Sequence, residues 1–206
     1  MNKKSFWILA ALLVVLIVAA SIAYNKLSRD AAPQQLSTQP PETTAATKSP
    51  TESTQGVPSA TETEPPVPVA PDFIVYDKEG NPVQFSDFVG KPIVLNFWAS
   101  WCGPCKSEMP DFNKKYEELN GEVTFLMINA TDGVRETVEK ADTYVTEQGF
   151  TFPVFFDAKY DAIGVYGITS FPTTIFIDAE GNFITYAIGA IDQKTLQIGI
   201  DMIYTP

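Results

Sequence analysis

Apolar positions fall into three regimes along this chain. Phe6 to Tyr24 is an uncharged, almost wholly apolar run of 19 residues. Ser28 to Pro71 has almost no aliphatic clusters. From Asp72 onward, short apolar runs alternate with apolar stripes at helical spacing, punctuated by Gly, Pro, Asn and Asp. The pattern divides the chain into an anchor at 1–27, a linker at 28–71 and a folded domain at 72–206. A domain of that length can bury a working core.

Within the domain, the period names the elements. Phe73–Tyr76 and Val83–Phe85 read as short strands joined through the Lys78-Glu79-Gly80-Asn81 turn, and Ser86–Lys91 as a turn or short helical piece. Ile93–Ala99 is β-branched, aromatic and apolar, as in a buried strand. Cys105, Met109, Phe112, Tyr116 and Leu119 recur every three or four residues, giving a helix over Cys102–Leu119, with Pro110 expected to kink it. Val123–Asn129 is a second buried strand. Val134, Val138, Ala141 and Val145 mark an amphipathic helix ending at Gly149. Val154–Phe156 is a possible strand and Ala158–Tyr166 a possible short helix. Thr173–Ile177 and Phe183–Ile188 form a hairpin around Asp178–Asn182, and Leu196, Ile200 and Ile203 mark a last helix capped by Asp192.

The first two regimes bear on location. As a helix, Phe6–Tyr24 is roughly 28 Å long, close to a bilayer core. Its length favours an uncleaved anchor over a signal peptide, although Val18-Ala19-Ala20 and Ser21-Ile22-Ala23 are passable cleavage sites. Lys3 and Lys4 favour an inside N-terminus, mildly opposed by Lys26 and Arg29. Either reading exports the domain. The linker holds 9 of the 16 prolines and is dense in Thr, Ser, Glu and Gln, so burial cannot offset its ordering entropy. As a flexible coil it spans on the order of 35 Å. It reads as a spacer.

Charge and composition exclude several classes. The net charge is −11, all of it in the domain: 20 acidic and 9 basic residues from Asp72 onward, against 5 and 5 before it. Such a surface argues against nucleic-acid binding. The chain has no histidine, which removes His-based acid–base catalysis and His-ligated metal or haem. Two cysteines supply only half of a tetrahedral thiolate site, so no metal and no cofactor are expected.

Those two cysteines, Cys102 and Cys105, lie where the Ile93–Ala99 strand ends and the next helix begins. A helix N-terminus offers unpaired N–H groups and positive dipole charge, which favour a thiolate, and Lys106 adds a nearby cation. Cys102 is the outer thiol and the expected nucleophile. Cys105, one turn in on the apolar stripe, is the expected resolving thiol. A structural role is weak, since a loop this short gains little from cross-linking. Glu108 lies one turn beyond Cys105 on nearly the same face, where it could exchange a proton with a thiol. Trp101 is expected to cover the surroundings of the outer thiol, and Trp98 to lie in the core. Asn129-Ala130-Thr131 matches a glycosylation sequon, but at the end of a buried strand, where a chance match is expected.

Trp101-Cys102-Gly103-Pro104-Cys105 resembles the thioredoxin active site. The wider run Asn96–Pro110 resembles the ResA/TlpA-like, membrane-anchored branch of thioredoxin-fold oxidoreductases, and the likeness extends over about Pro71 to Pro206. It implies an α/β thioredoxin fold, a central mixed β-sheet flanked by helices, with an N-terminal β-hairpin extension. It implies a cis-proline at Pro172, facing the cysteines and shielding them from stray metal, and a Phe171 backbone that pairs with substrate polypeptide. It also implies an active-site glutamate at Glu108. Asn96 departs from general thioredoxins, which carry a buried aspartate there; Glu108 is the expected substitute. Gly103-Pro104 resembles reducing members. The implied partners are exported proteins with disulfides, such as apocytochrome c, a membrane electron donor of the CcdA/DsbD type, and lipid around the N-terminal helix.

Rival readings remain. They are a dithiol oxidase or isomerase of the same fold, a metal-binding thiol chaperone, and an inert binding module. A peroxidase is weaker, because a Pro-x-x-x-Thr-x-x-Cys context is missing.

Overall fold

A computed structural model of the chain describes Leu36 and residues 67–206. The apolar 6–24 span and nearly all of the 28–71 linker lie outside the described residues.

Seven strands build one mixed sheet: β1 (Ile74–Tyr76), β2 (Pro82–Gln84), β3 (Ile93–Trp98), β4 (Thr124–Asn129), β5 (Val154–Phe156), β6 (Thr173–Ile177) and β7 (Phe183–Ile188). Their spatial order is β2-β1-β5-β4-β3-β6-β7. Strands β3, β4 and β5 run parallel; β6 runs antiparallel to β3, and β7 to β6. The helices are α1 (Gly103–Leu119), α2 (Val138–Gln148), α3 (Asp161–Val165) and α4 (Gln193–Ile203), with a 3-10 turn at Phe85–Phe88. This is the thioredoxin fold.

Strand β3 is buried throughout because both faces of the sheet are covered. Val94 and Trp98 face a core shared with Met109 and Phe112 of α1, Ala141 of α2, and Leu196 and Ile200 of α4. Ile93, Leu95 and Phe97 face the other core, with Phe73, Phe85, Ala162 and Tyr166. Period-2 alternation therefore puts Asn96 on the α1 side.

Local chemistry sets the helix ends. Helix α1 starts at Cys102 and stops at Asn120, which is left-handed at φ 45° and donates its N–H to the Tyr116 carbonyl. Asp192 caps α4 by accepting from Thr195 N–H at 2.8 Å. Gly199 of α4 lies so close to β6 that a Cβ would fall 2.2 Å from the Phe176 ring.

The helix expected from Val134 begins four residues later, at Val138, and Val134 is 83% exposed. Asp132 Oδ1 accepts from the N–H groups of Val134 and Glu136, and the N–H groups of Asp132 and Gly133 donate to the Glu136 carbonyl. That closed turn takes up the first apolar position of the stripe. Thr137 then caps α2 by accepting from Lys140 N–H. At the other boundary, Pro68–Ala70, read from composition as linker, pairs with the β6–β7 turn: Phe183 N–H donates to Pro68 O, and Ala70 N–H to Gly181 O.

Candidate active site

Cys102 is the N-cap of α1, with Gly103 and Pro104 at its first positions, where the missing proline N–H is no loss. The two cysteines form a disulfide, and the Cys105 N–H donates to Cys102 Sγ at 3.2 Å. Cys102 is 5% exposed and Cys105 0%. Cys102 is thus slightly the more exposed of the two.

Trp101, directly before Cys102, is 40% exposed. Its ring meets Phe171 edge-on at 6.1 Å. The Phe171–Pro172 peptide is cis, and the Pro172 carbonyl accepts from Gly189 N–H. The structure therefore brings Phe171 against Trp101, the residue next to Cys102. Trp98, fully buried, belongs to the core. Lys106, expected as a cation near the thiols, holds its ammonium over the Tyr144 ring, 5.0 Å from the centroid.

Glu108 is 2% exposed and fixed by two long-range contacts. Asn96 Nδ2 donates to Oε1 at 2.8 Å, and the Ile191 N–H to Oε2 at 2.9 Å. Asn96 also donates to Thr174 Oγ1 at 3.0 Å, while its own Oδ1 is buried without a partner. Burial raises the Glu108 carboxyl to about 8, against the smaller lowering effect of its hydrogen bonds. A carboxyl tuned to that range, one helical turn from Cys105, can hold and release a proton near neutrality.

A second buried carboxylate escaped the sequence reading. Glu136, fully buried, accepts from Ser100 N–H, Ser100 Oγ–H and Asn129 Nδ2 at 2.7–2.8 Å. It ties the turn before α2 to the residue preceding Trp101. Beside it, the Arg135 guanidinium lies over the Trp101 ring, 3.6 Å from the centroid. The signals were Asp132-Gly133, a turn pair, and Thr137, a cap residue; both place 132–137 outside a helix. Asn129 of the sequon is itself fully buried in this network. Among the described residues, no group of three or more acidic or thiol side chains is disposed to hold a metal.

The AhpC/TSA family model matches residues 68–186. The thiol-disulfide oxidoreductase ResA of Bacillus thuringiensis is 36% identical over 131 residues, which is 62% of this chain and 72% of that protein. A thioredoxin-family thiol:disulfide interchange protein from Chlorobium tepidum is similar at TM-score 0.58 and 28% identity, covering 68% of this chain and 99% of its own. An exposed lipoprotein thioredoxin of Streptococcus pneumoniae is similar at TM-score 0.53 and 30% identity, covering 64% of this chain and 99% of its own.

Proposed function

This chain belongs to the AhpC/TSA family and is a ResA/TlpA-like thiol–disulfide oxidoreductase of the thioredoxin fold; on that premise we propose that it reduces disulfides of exported proteins from a membrane anchor. The observation that carries this reading is the Cys102–Cys105 pair at the start of α1, with Glu108 buried one turn away. The family description alone also admits peroxide chemistry. The Cys-Gly-Pro-Cys pairing and the missing Pro-x-x-x-Thr-x-x-Cys context favour exchange between thiols and disulfides.

The reduced Cys102 thiolate attacks one sulfur of a substrate disulfide, and the other sulfur leaves as a thiolate and takes up a proton. Cys105 loses its proton to Glu108 and attacks Cys102 Sγ. The substrate leaves with both sulfurs reduced, and the two electrons have come from the cysteine pair. Recharging reverses the bookkeeping of protons: a donor dithiol opens the Cys102–Cys105 bond, and Cys105 recovers the proton held on Glu108. Trp101, Phe171 and Pro172 form the face against which the substrate strand lies.

The reducing direction rests on Gly103-Pro104, which resembles reducing members. The extracytoplasmic, membrane-tethered setting rests on the 6–24 apolar run and the 28–71 linker, and agrees with the likeness to an exposed lipoprotein thioredoxin. A membrane donor of the CcdA/DsbD type would supply electrons, and apocytochrome c is a candidate substrate. The test is the reduction potential of the full-length chain in detergent, equilibrated in dithiothreitol or glutathione buffers with free thiols trapped. We expect a value at or below about −250 mV, in the range of reductants. A value well above the glutathione couple makes the chain an oxidant, and the absence of a reversible two-thiol couple removes the redox reading.

A further inference from the structure

Arg135 stands out on an acidic domain. It is exposed, lies over the ring of Trp101, one residue before Cys102, and makes no ion pair among the described residues. Stacking engages the face of a guanidinium and leaves its N–H edge open to planar acceptors. The nearby carboxylates are already engaged. Asp132 accepts from Val134 and Glu136 N–H, and Glu136 from Ser100 and Asn129.

The segment that carries Arg135 is rigidly built. Glu136 anchors it from below, and Lys140 Nζ donates to the carbonyls of Val134 and Arg135 at 3.1 and 2.8 Å. The backbone that carries the cation is thus fixed beside Trp101, and the ring contact places the guanidinium, which lowers the ordering cost of binding. A generic solubility role does not explain this. The domain's net charge is acidic, and a cation moored on the tryptophan next to the nucleophile, with Lys140 beside it, works against it.

We propose that Arg135 determines substrate choice by pairing with a carboxylate carried by the polypeptide whose disulfide Cys102 attacks. The preferred substrate class is an acidic polypeptide segment, with Asp or Glu within a few residues of the attacked cysteine. This rests on the oxidoreductase reading above and names the substrate chemistry of that same face. The exchange itself is unchanged: two electrons pass from the cysteine pair to the peptide disulfide, whose two sulfurs leave as thiols.

The test uses pre-reduced full-length protein and three disulfide-bonded peptides differing only by Asp, Asn or Lys beside the cysteine. The readout is the ratio of second-order rate constants, which cancels any change in the intrinsic reactivity of Cys102. Wild type should prefer Asp over Lys on the order of fivefold at low salt, with the ratio shrinking as salt is added. R135Q should bring the ratio close to one, and R135E should invert it. Equal rates for the three peptides with wild type, or an unchanged ratio in R135E, overturn the proposal while leaving the oxidoreductase reading intact. If wild type reduces none of the peptides, that reading fails and this one falls with it.

Discussion

At the scale of single residues, the site turns on one carboxyl. Glu108 was legible as a candidate because it follows Cys105 by three positions. Partial burial was expected of it; near-complete burial was not legible, since that depends on Asn96 in the preceding strand and on the Ile191 N–H, 83 residues further on. The consequence is a pH dependence whose sign can be worked out. The folded pKa of about 8 lies above the ordinary 4.5, so between those values the folded state binds the extra proton. Stability from this group is therefore complete below pH 4.5 and declines as pH rises toward 8, by up to about 1.4 kcal/mol per pH unit. In E108Q that decline should vanish from denaturant titrations run between pH 5 and 8. The amide can still accept from Ile191, and a turn of the Asn96 amide lets it donate to Asn96 Oδ1. The same variant should slow closure of the Cys102–Cys105 bond about 100-fold in single-turnover mixing with a disulfide peptide, with mixed disulfide accumulating. Wild-type closure rates in E108Q would remove the proton-holding role.

At the scale of elements, the period of the apolar pattern located the strands and helices well wherever one face is plainly buried. Strand β3, helix α1 and the β6–β7 hairpin lie close to where Ile93–Ala99, the Cys105-to-Leu119 stripe and Asp178–Asn182 placed them. It failed at Val134, where hydrogen bonds accepted by the Asp132 carboxylate and a buried Glu136 outweigh helical periodicity. Close approach of one element to another was likewise invisible, and Gly199 is the case in point. Inside a helix, glycine is disfavoured against alanine by about 1 kcal/mol, so G199A improves the local propensity. The structure reverses that expectation, because the added methyl meets the Phe176 ring and α4 must lift from β6. We expect G199A to lower the denaturation free energy by roughly 1–3 kcal/mol, read from the midpoint in urea. A neutral or stabilising result would mean that α4 packs less tightly on the sheet.

For the whole molecule, topology explains both what could be read and what could not. The order strand–helix–strand–helix, then hairpin and helix, was visible from patterning. The placement of β1 against β5, which joins the Phe73 hairpin to the sheet through the single Tyr76–Phe156 pairing, was not, because three-residue strands carry too little period. Pairing across such distances is a tertiary choice. The architecture also has a consequence for where the enzyme works. The domain's own surface is acidic, and a surface of that sign is repelled by anionic lipid headgroups. Membrane association should therefore depend on the apolar 6–24 run and not on the domain. The full chain should sediment with membranes, resist extraction by carbonate or about 1 M salt, and be released by detergent. Deleting residues 1–27 should send the remainder to the soluble fraction with the same denaturation midpoint. Release by salt would point to peripheral attachment through a partner. An intact mass lacking the first residues up to Ala20 or Ala23 would show a cleaved signal segment, and the linker would then be the protein's free end, with no tether to keep Cys102 near the proposed membrane donor.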